Sequence, residues 1–288
     1  MRGQGFAVGQ FRDRVEVVVT GPWSGQVAEL VVSGEVDRVV LNYALGFAER
    51  DLDFLRGLPV RQLVILDRRL TSLEPVHALS GSLELLHLTT DPALGIDLSQ
   101  FTRLRELSAD WQQIRSTVSS AASLERVHVG RYAERDLGPL TGLQNLRSLV
   151  LTDRPRLVSL AGLARFPSLR VLQVALARYL VDISELRSCK FVEEVQLESC
   201  RKLSSIEALA SLANLRRLNL SECGDLASLA PIARLTDLEV VGLFGSTRII
   251  DGDLTPLAAL PRLKELRMQS RRHYRPTVDD VQAGLPTA

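Results

Sequence analysis

The sequence predicts an α/β repeat solenoid, with a curved parallel β-sheet on its concave side and 3₁₀ or short helical segments on its convex side. Leucine provides the first observation, since it supplies 52 of the 288 residues whereas aromatic residues make up only 5%. The second observation is a short apolar pattern that occurs eleven times, and the third is a change of period between its copies. Self-similarity at a fixed period is the signature of a repeat architecture.

The recurring pattern is apolar-x-x-apolar-x-apolar, and successive copies begin 20 to 25 residues apart. Apolar residues alternate with other residues inside each copy, which is typical of a short β-strand with one buried face. We therefore predict one strand in each of eleven repeats. The copies begin at Val36, Val60, Leu83, Leu104, Leu124, Leu146, Leu169, Val192, Leu215, Leu238 and Leu263.

Between the strand segments, apolar residues recur at every third position, for example at Leu226, Leu229 and Ile232. A 3₁₀ path has three residues per turn, so it keeps every third side chain on one face. A single repeat cannot bury both of its faces, whereas stacked repeats cover each other's apolar edges. The two periods together predict parallel stacking around one long leucine core.

The segments DLGPLTGLQNL (136–146) and SLAPIARLTDL (228–238), with their 22–23-residue step, resemble the leucine-rich repeat family, in particular its bacterial internalin-type or short regulatory-subunit-type repeats. The resemblance covers roughly residues 36–270. It implies a binding protein without naming a partner, because this fold serves many unrelated functions. The family usually carries Asn or Cys at the ninth repeat position, where only Cys200 and Cys223 fit here. This departure from the pattern of the family it resembles implies that an asparagine ladder is absent and that the turns of the first seven repeats are less regular.

The N-terminal end of the solenoid needs a cap, because the end of a repeat stack exposes its core. We predict that residues 1–35 form a β-hairpin cap. Its strands would be FRDRVEVVV (11–19) and QVAELVV (26–32), joined by the turn-like GPWSG. Trp23 in this turn is predicted to pack within the cap.

The solenoid itself is predicted to span residues 36–270, with about eleven repeats. After Met268 the period is lost. Residues 271–288 are therefore predicted to form a C-terminal cap or tail that lays Tyr274 and Val278 over the last repeat.

Charge and hydropathy limit the classes of partner and the cellular compartment that we predict for this chain. With 35 basic and 34 acidic residues, the net charge of +1 lacks the strong basic field of generic nucleic-acid binding and of membrane-surface binding. The N-terminus has no apolar signal-peptide core, and no apolar run is long enough for a membrane span. Three cysteines are too few for a disulfide framework, so we predict a cytoplasmic protein. We also predict that the chain is a monomer. The preference for Arg over Lys is typical of a GC-rich bacterial genome.

Catalytic and metal-binding motifs are not found in the sequence: it contains no G-x-x-x-x-G-K-[ST], H-E-x-x-H or C-x-x-C. His87 and His128 take equivalent positions two repeats apart, about 10 Å along a stack, which is too far for an obvious shared metal. Cys189 falls in an every-third core series. Cys200 and Cys223 would stack at about 5 Å, within disulfide range, although a buried thiol is the family's usual solution there. We expect no enzyme activity, no cofactor and no metal.

The outward side chains of the sheet are the predicted binding surface. They come from the third, fifth and seventh positions of each repeat, with the eighth position at the rim. The rim residues Trp111 and Arg131, with the adjoining Tyr132, form an aromatic–Arg cluster, and these residue types dominate protein interfaces. We predict that a protein partner binds the wall of the first six repeats. The predicted anchors are Asp110, Trp111, Arg131 and Tyr132.

Apolar residues at outward positions concentrate in the first repeats, among them Val40 and Val64. They would add apolar contact area to the same wall. The other predicted contacts are His87, His128, Arg126, Leu85, Leu66 and Tyr43.

Alternatives remain open for the tryptophan and for the function. As the alternative to a binding role, the Trp111 side chain packs over the repeat 104–123, which lacks clean leucines, and closes its core to solvent. The predicted function is a non-catalytic protein-binding scaffold, whose pre-ordered wall binds at little entropic cost. The alternatives are an inhibitory or immunity-type subunit that blocks a partner enzyme, or a recognition subunit for a separate catalytic chain.

Overall fold

The computed structural model describes residues 5–286, which fall into two compact units. The N-terminal unit ends at Val127 and the C-terminal unit begins at His128. In each unit a short strand and a 3₁₀ turn make up one repeat, as the two periods of the sequence predict.

The N-terminal unit opens with a hairpin and a helix: β1 (Phe6–Phe11) pairs antiparallel with β2 (Arg14–Val19), and α1 spans Gly25–Ser33. The repeat strands are β3 (Arg38–Asn42), β4 (Gln62–Leu66), β5 (Leu85–Leu88) and β6 (Glu106–Asp110). Parallel pairing runs in order from β2 to β6. A one-turn helix, α2, follows at Trp111–Ile114. The 3₁₀ segments are Tyr43–Leu45, Asp53–Leu55, Glu74–Leu79, Leu98–Gln100 and Val118–Ser120.

The strand β7 (Arg126–Gly130) crosses the boundary, and the C-terminal unit continues the same alternation. Its strands are β8 (Ser148–Thr152), β9 (Val171–Ala175), β10 (Glu194–Glu198), β11 (Arg217–Asn219), β12 (Asp225–Leu226), β13 (Val240–Leu243), β14 (Arg248–Ile249) and β15 (Glu265–Met268). Parallel pairing joins β8, β9, β10, β11, β13 and β15 in that order, while β12 and β14 form a separate small ladder. The 3₁₀ segments are Gly138–Leu140, Leu163–Arg165, Ser184–Ser188, Glu207–Ser211 and Ala230–Ile232. The α-helices are α3 (Thr255–Ala258) and α4 (Val278–Ala283).

The core of each unit consists of the apolar positions of the recurring pattern. In the repeat that contains β10, Val192, Val195 and Leu197 are fully buried, whereas Glu194 and Gln196 between them are half-buried. Neighbouring 3₁₀ segments contact each other and form a second row beside the strands. The predicted fold class, a leucine-rich-repeat solenoid, is confirmed.

The predicted second cap strand, residues 26–32, is wrong, because this segment lies in α1. The Ser24 side chain accepts a hydrogen bond from the Val27 amide (3.5 Å), and Gly34 ends the helix in a left-handed conformation. Val27 and Val31 are the buried residues of this helix, and their four-residue spacing is that of a helical face. The apolar run therefore follows a helical period that a strand reading overlooks.

The hairpin that does form lies earlier in the chain than predicted, with Arg12 in its turn at φ 56°. Trp23 packs against the first repeat instead of within the cap: its ring stacks on Phe54, with 4.3 Å between the centroids. Its backbone amide donates to a carboxylate oxygen of Glu49 (3.1 Å). The link between the N-terminal segment and the first repeat is thus partly aromatic.

The turns after the strands differ from the expectation of irregularity through the first seven repeats. In six successive repeats, from the one containing β7 onward, the eighth residue has a left-handed φ of 55° to 74°. The regular turns therefore begin at the fifth repeat, and the prediction is wrong for repeats five to seven. These residues are Arg131, Asp153, Leu176, Ser199, Glu222 and Gly245.

The turns of the N-terminal unit use separate polar caps in place of an asparagine ladder. Asp67 is fully buried, and its carboxylate accepts hydrogen bonds from the backbone and the guanidinium of Arg69. Burial alone would raise the pKa of Asp67, but these bonds lower it below the ordinary value. In the turn of the next repeat, Thr90 Oγ1 accepts a hydrogen bond from the buried side-chain amide of Gln113 (2.7 Å). Each turn therefore satisfies its buried polar groups with a different pair of side chains, and no single residue type recurs.

Opposite charges alternate along the edge where the strands begin. Arg61 lies between Asp37 and Glu84, at 3.7 and 3.1 Å, and Glu239 lies between Arg216 and Lys264. All are second-position residues, so each pair links neighbouring repeats. Exposed pairs of this kind each contribute little to stability. We call this set the charge ladder; its residues are 37, 61, 84, 105 and 125 in the N-terminal unit and 170, 193, 216, 239 and 264 in the C-terminal unit.

Substituting Glu239→Gln is expected to lower stability at neutral pH and to lose that effect in acid. Hydrogen bonds from Lys264 and Arg216 lower the pKa of Glu239 to about 2. An unfolded Glu has a pKa of about 4.3, so the folded carboxylate stabilises fully above that pH, and its contribution disappears as the pH falls through the folded value. Urea midpoints measured from neutral to acidic pH check this.

The control for this prediction is Glu207→Gln, which removes an exposed carboxylate for which no salt bridge occurs within residues 5–286. The difference in urea midpoint between Glu239→Gln and the native chain should shrink below about pH 4. A difference that persists unchanged into acid would contradict the ion-pair account.

The C-terminal segment packs against the end of the repeat stack. Tyr274 is fully buried and its hydroxyl accepts a hydrogen bond from the Ile249 amide (3.1 Å). Val278, the first residue of α4, is 2% exposed. Across residues 5–286, no helix combines the length and the apolar character that crossing a bilayer requires.

Candidate functional site

The outward side chains of the sheet form rows because equivalent repeat positions pair side by side. Gln196 on β10, for example, pairs with Gln173 on β9 and with Asn219 on β11. A ligand on this face would therefore contact one side chain from each of several repeats. The candidate surface is described below for each unit by itself.

In the N-terminal unit, two of the apolar positions are closed. Val40 and Val64 are 8% and 3% exposed, so the expectation that they are open contact positions is wrong. Val64 lies between Val40 and His87 on the adjoining strands, which leaves its short side chain little access to solvent. Leu66 and Leu85, at the ends of their strands, are half-buried.

Tyr43, His87 and Arg126 keep more access to solvent. Tyr43 is 49% exposed, and the Arg69 guanidinium lies 5.3 Å from its ring centroid. The His87 side chain is half-buried, and the Arg126 guanidinium pairs with Glu106 on β6. These three residues stay proposed contacts.

Asp110 and Trp111 lie where β6 passes into α2. The Asp110 carboxylate accepts a hydrogen bond from the Gln112 amide (3.0 Å), and the Asp110 amide donates to Gln113 Oε1 (3.1 Å). This reciprocal arrangement is a capping box. Trp111 is only 3% exposed, so its ring belongs to the interior. Burial of this kind is what the sealing alternative requires.

Arg131, Tyr132 and His128 belong to the C-terminal unit. Tyr132 is fully buried and its hydroxyl donates to the Asp136 carbonyl (2.7 Å); burial raises the pKa of this phenol. His128 Nε2 lies 2.8 Å from Thr152 Oγ1, and burial lowers the pKa of the imidazole. Arg131 is exposed. A partner could therefore contact the exposed Arg131, whereas the Tyr132 side chain lies inside the fold and out of a partner's reach.

The surroundings of two buried thiols, Cys189 and Cys200, disfavour nucleophilic chemistry. Cys200 and Cys223 are fully buried, and Cys223 Sγ donates to the Leu197 carbonyl (2.7 Å). Hydrogen bonding with Cys223 and burial raise the pKa of Cys200, and burial raises the pKa of Cys189 to about 11. A thiol that stays protonated at neutral pH is a poor nucleophile. Within residues 5–286 no three His, Cys, Asp or Glu side chains are grouped as a metal site.

An open groove of about 790 Å³ lies on the sheet face of the C-terminal unit, across β10, β11, β13 and β15. Its floor contains Gly242, which pairs with Asn219 on one side and Arg267 on the other. A Cβ at this glycine would lie 2.8 Å from Asn219 Oδ1, so the Asn219 side chain lies over the position that a larger residue would need. We call this feature the sheet groove; it is defined by Arg217, Asn219, Gly242, Phe244, Arg267 and Gln282.

The rim of the sheet groove combines an exposed aromatic ring with charges of both signs. Phe244 is 58% exposed. Arg267 pairs with Glu265 (2.5 Å), and hydrogen bonds from Ser246 lower the pKa of Glu222, so this carboxylate is ionised at neutral pH. Gln282 of α4 donates to a backbone carbonyl of β15 (3.0 Å). Such a mixed surface suits a protein more than a polyanion.

The predicted anchors lie outside the sheet groove, which is formed by repeats that follow the first six. A sequence signal for the groove did exist. Gly242 is the residue without a side chain in the fifth-position row of its unit, and Phe244 is the aromatic residue two positions later. A gap beside an outward aromatic residue indicates a pocket on a sheet face.

The sequence matches no protein-family model and no curated protein. The fold is similar to solved structures of low sequence identity. An internalin, inlF, of Listeria monocytogenes has 15% identity and a TM-score of 0.62, over 94% of this chain and 85% of the internalin. A leucine-rich-repeat protein of Leptospira interrogans has 17% identity and a TM-score of 0.57, over 86% and 76% of the two chains. Mouse RP105, solved in complex with MD-1, has 18% identity and a TM-score of 0.52, over 81% of this chain and 41% of that one.

Proposed function

We propose that this chain is a non-catalytic protein-binding scaffold and that the sheet groove holds its partner. The observation that carries the proposal is the groove itself, about 790 Å³ in volume, with the 58% exposed ring of Phe244 at its rim. Exposed aromatic residues beside a pocket are typical of interface hot spots. The similarity to mouse RP105, which was solved in a complex with MD-1, supports a binding role for the fold.

The rigidity of the groove supports the same proposal. Its walls are strand residues: β10, β11 and β13 are paired in parallel on both sides, and β15 is paired with β13 on one side. The Ser221 hydroxyl accepts a hydrogen bond from the Phe244 amide (3.2 Å), which orients the backbone at the rim. A pre-ordered surface of this kind binds with little loss of conformational entropy. The chain is proposed to act in the cytoplasm of a bacterium as a monomer.

The Phe244→Ala variant is expected to weaken partner binding at least about 30-fold, the loss typical of a hot-spot aromatic residue. Proteins captured by the native chain from its source cytoplasm would be identified by mass spectrometry, and their affinities measured by calorimetry. The matched control is Phe191→Ala, because Phe191 is equally exposed (56%) and is not among the residues that line the groove. If both variants bind as tightly as the native chain, the groove is not the binding site.

A further inference from the structure

A second pocket of the C-terminal unit lies in the loops that follow β8 and β9. Its volume is about 180 Å³. Leu176 and Tyr179 in its wall are 45% and 51% exposed, so apolar surface lies beside the cationic groups. We call it the loop pocket; it is lined by Arg154, Pro155, Arg156, Leu176, Arg178 and Tyr179.

The backbone around the loop pocket is held in place. The Arg156 amide donates to the Tyr132 carbonyl (2.8 Å), and the Arg178 amide donates to the Leu176 carbonyl (3.0 Å). Arg154 adopts a left-handed φ of 63°. Local hydrogen bonds of this kind fix the backbone positions of the arginine residues, and they reduce the conformational entropy that is lost on binding.

The arginines of the loop pocket lack counter-ions. Across residues 5–286, no carboxylate lies within 4.0 Å of the guanidinium of Arg154, Arg156 or Arg178. The Lys202 ammonium adds a further positive charge, 5.6 Å from the Tyr179 ring centroid. The charge ladder, in contrast, pairs its cations with carboxylates of neighbouring repeats. In a chain of net charge +1, three unpaired guanidinium groups around one pocket are a local excess of positive charge.

We propose that the loop pocket binds the carboxylates of an acidic peptide segment presented by a protein partner. Guanidinium groups bind carboxylates through paired, charge-assisted hydrogen bonds. A volume of about 180 Å³ suits one or two side-chain headgroups, while Leu176 and Tyr179 offer contact to a neighbouring apolar side chain. A nucleic acid is the less suitable occupant, because its binding depends on a basic field along many phosphates.

The proposal rests on the proposed function only in that the ligand is a protein, since the loop pocket and the sheet groove share no lining residue. The probe is a fluorescein-labelled octapeptide that alternates pairs of Glu with single Leu residues, followed by fluorescence anisotropy. The native chain is expected to bind it at least about tenfold more tightly than the peptide with Gln in place of Glu. Binding should weaken as salt rises toward about 0.15 M.

The test variant carries Arg154→Gln, Arg156→Gln and Arg178→Gln, and we expect it to lose at least about tenfold in affinity for the Glu peptide. The matched control carries Arg105→Gln, Arg216→Gln and Arg262→Gln, which removes the same charge from arginines that are already ion-paired. The control should bind within about twofold of the native chain. Thermal unfolding of both triple variants would verify that they fold.

Three results would overturn the proposal: no binding of the Glu peptide by the native chain, an equal loss in both triple variants, or displacement of the peptide by a single-stranded oligonucleotide that binds more tightly through the same arginines. The Phe244→Ala variant should bind the Glu peptide normally. A failure of the sheet groove is therefore distinguishable from a failure of the loop pocket.

Discussion

The Trp111→Ala variant is expected to unfold with a free energy lower by about 3–5 kcal/mol, the usual cost of truncating a buried aromatic side chain. Trp111 is 3% exposed and begins α2, directly after the capping box of Asp110. Removing the indole would leave a cavity in a repeat whose core has few leucines. Urea unfolding monitored by circular dichroism measures the change.

This variant also separates the two roles of Trp111 that the sequence leaves open. A sealing residue loses stability on truncation, whereas a binding anchor loses affinity while stability is kept. Tyr43→Ala is the control for the stability measurement alone, because Tyr43 is an aromatic residue of the same unit that is 49% exposed. Its truncation should cost no more than about 1 kcal/mol, the value of an exposed cation–π contact with Arg69. If Trp111→Ala unfolds like the native chain, the burial argument fails.

The Tyr274→Ala variant is expected to open the C-terminal end of the repeat stack, with a cost of about 3–5 kcal/mol. Tyr274 is fully buried, and its hydroxyl accepts the hydrogen bond of the buried Ile249 amide in β14. In a solenoid each repeat is stabilised by its neighbours, so loss of the cap exposes the last repeat first. Hydrogen exchange detected by mass spectrometry should show faster exchange in β15 and α4 than in β8 and β9.

The conservative variant Tyr274→Phe separates packing from hydrogen bonding at the same position. It keeps the ring and leaves the Ile249 amide without its acceptor, which costs about 1–3 kcal/mol. We expect its exchange rates to lie between those of the native chain and of Tyr274→Ala. Uniform acceleration across all repeats would instead indicate that the C-terminal segment stabilises the chain globally.

The strand positions were predictable because the pattern is local and is repeated eleven times. The predicted copies that begin at Val192 and Leu215 match β10 and β11, and their third positions, Glu194 and Arg217, are partners in the ladder. The helix α1 was missed because Val27 and Val31 lie in a run of apolar residues that also fits a strand. Ser24 and Gly34, which cap that helix, are its sequence signal.

The candidate sites were less predictable because an outward position need not be an accessible one. Val64 and Gly242 both occupy fifth positions, yet Val64 is covered by its neighbours whereas Gly242 lines the sheet groove. Tyr132 follows a strand at a position that the sequence predicts to face a partner, but its ring is buried and its hydroxyl donates a hydrogen bond to the Asp136 carbonyl. Arg154 and Arg178 come from different repeats, and a common pocket emerges only when the loops stack.

The spacing of leucines alone is enough to specify the repeat, the alternation of strand with 3₁₀ turn, and which side chains form the core, because each follows from a period within about 23 residues. Accessibility, ion pairing and the two pockets arise from contacts between repeats, where side chains more than 20 residues apart in sequence lie about 4.8 Å apart across the sheet. The size and charge of those neighbours decide whether an outward residue is covered, paired or open to a ligand.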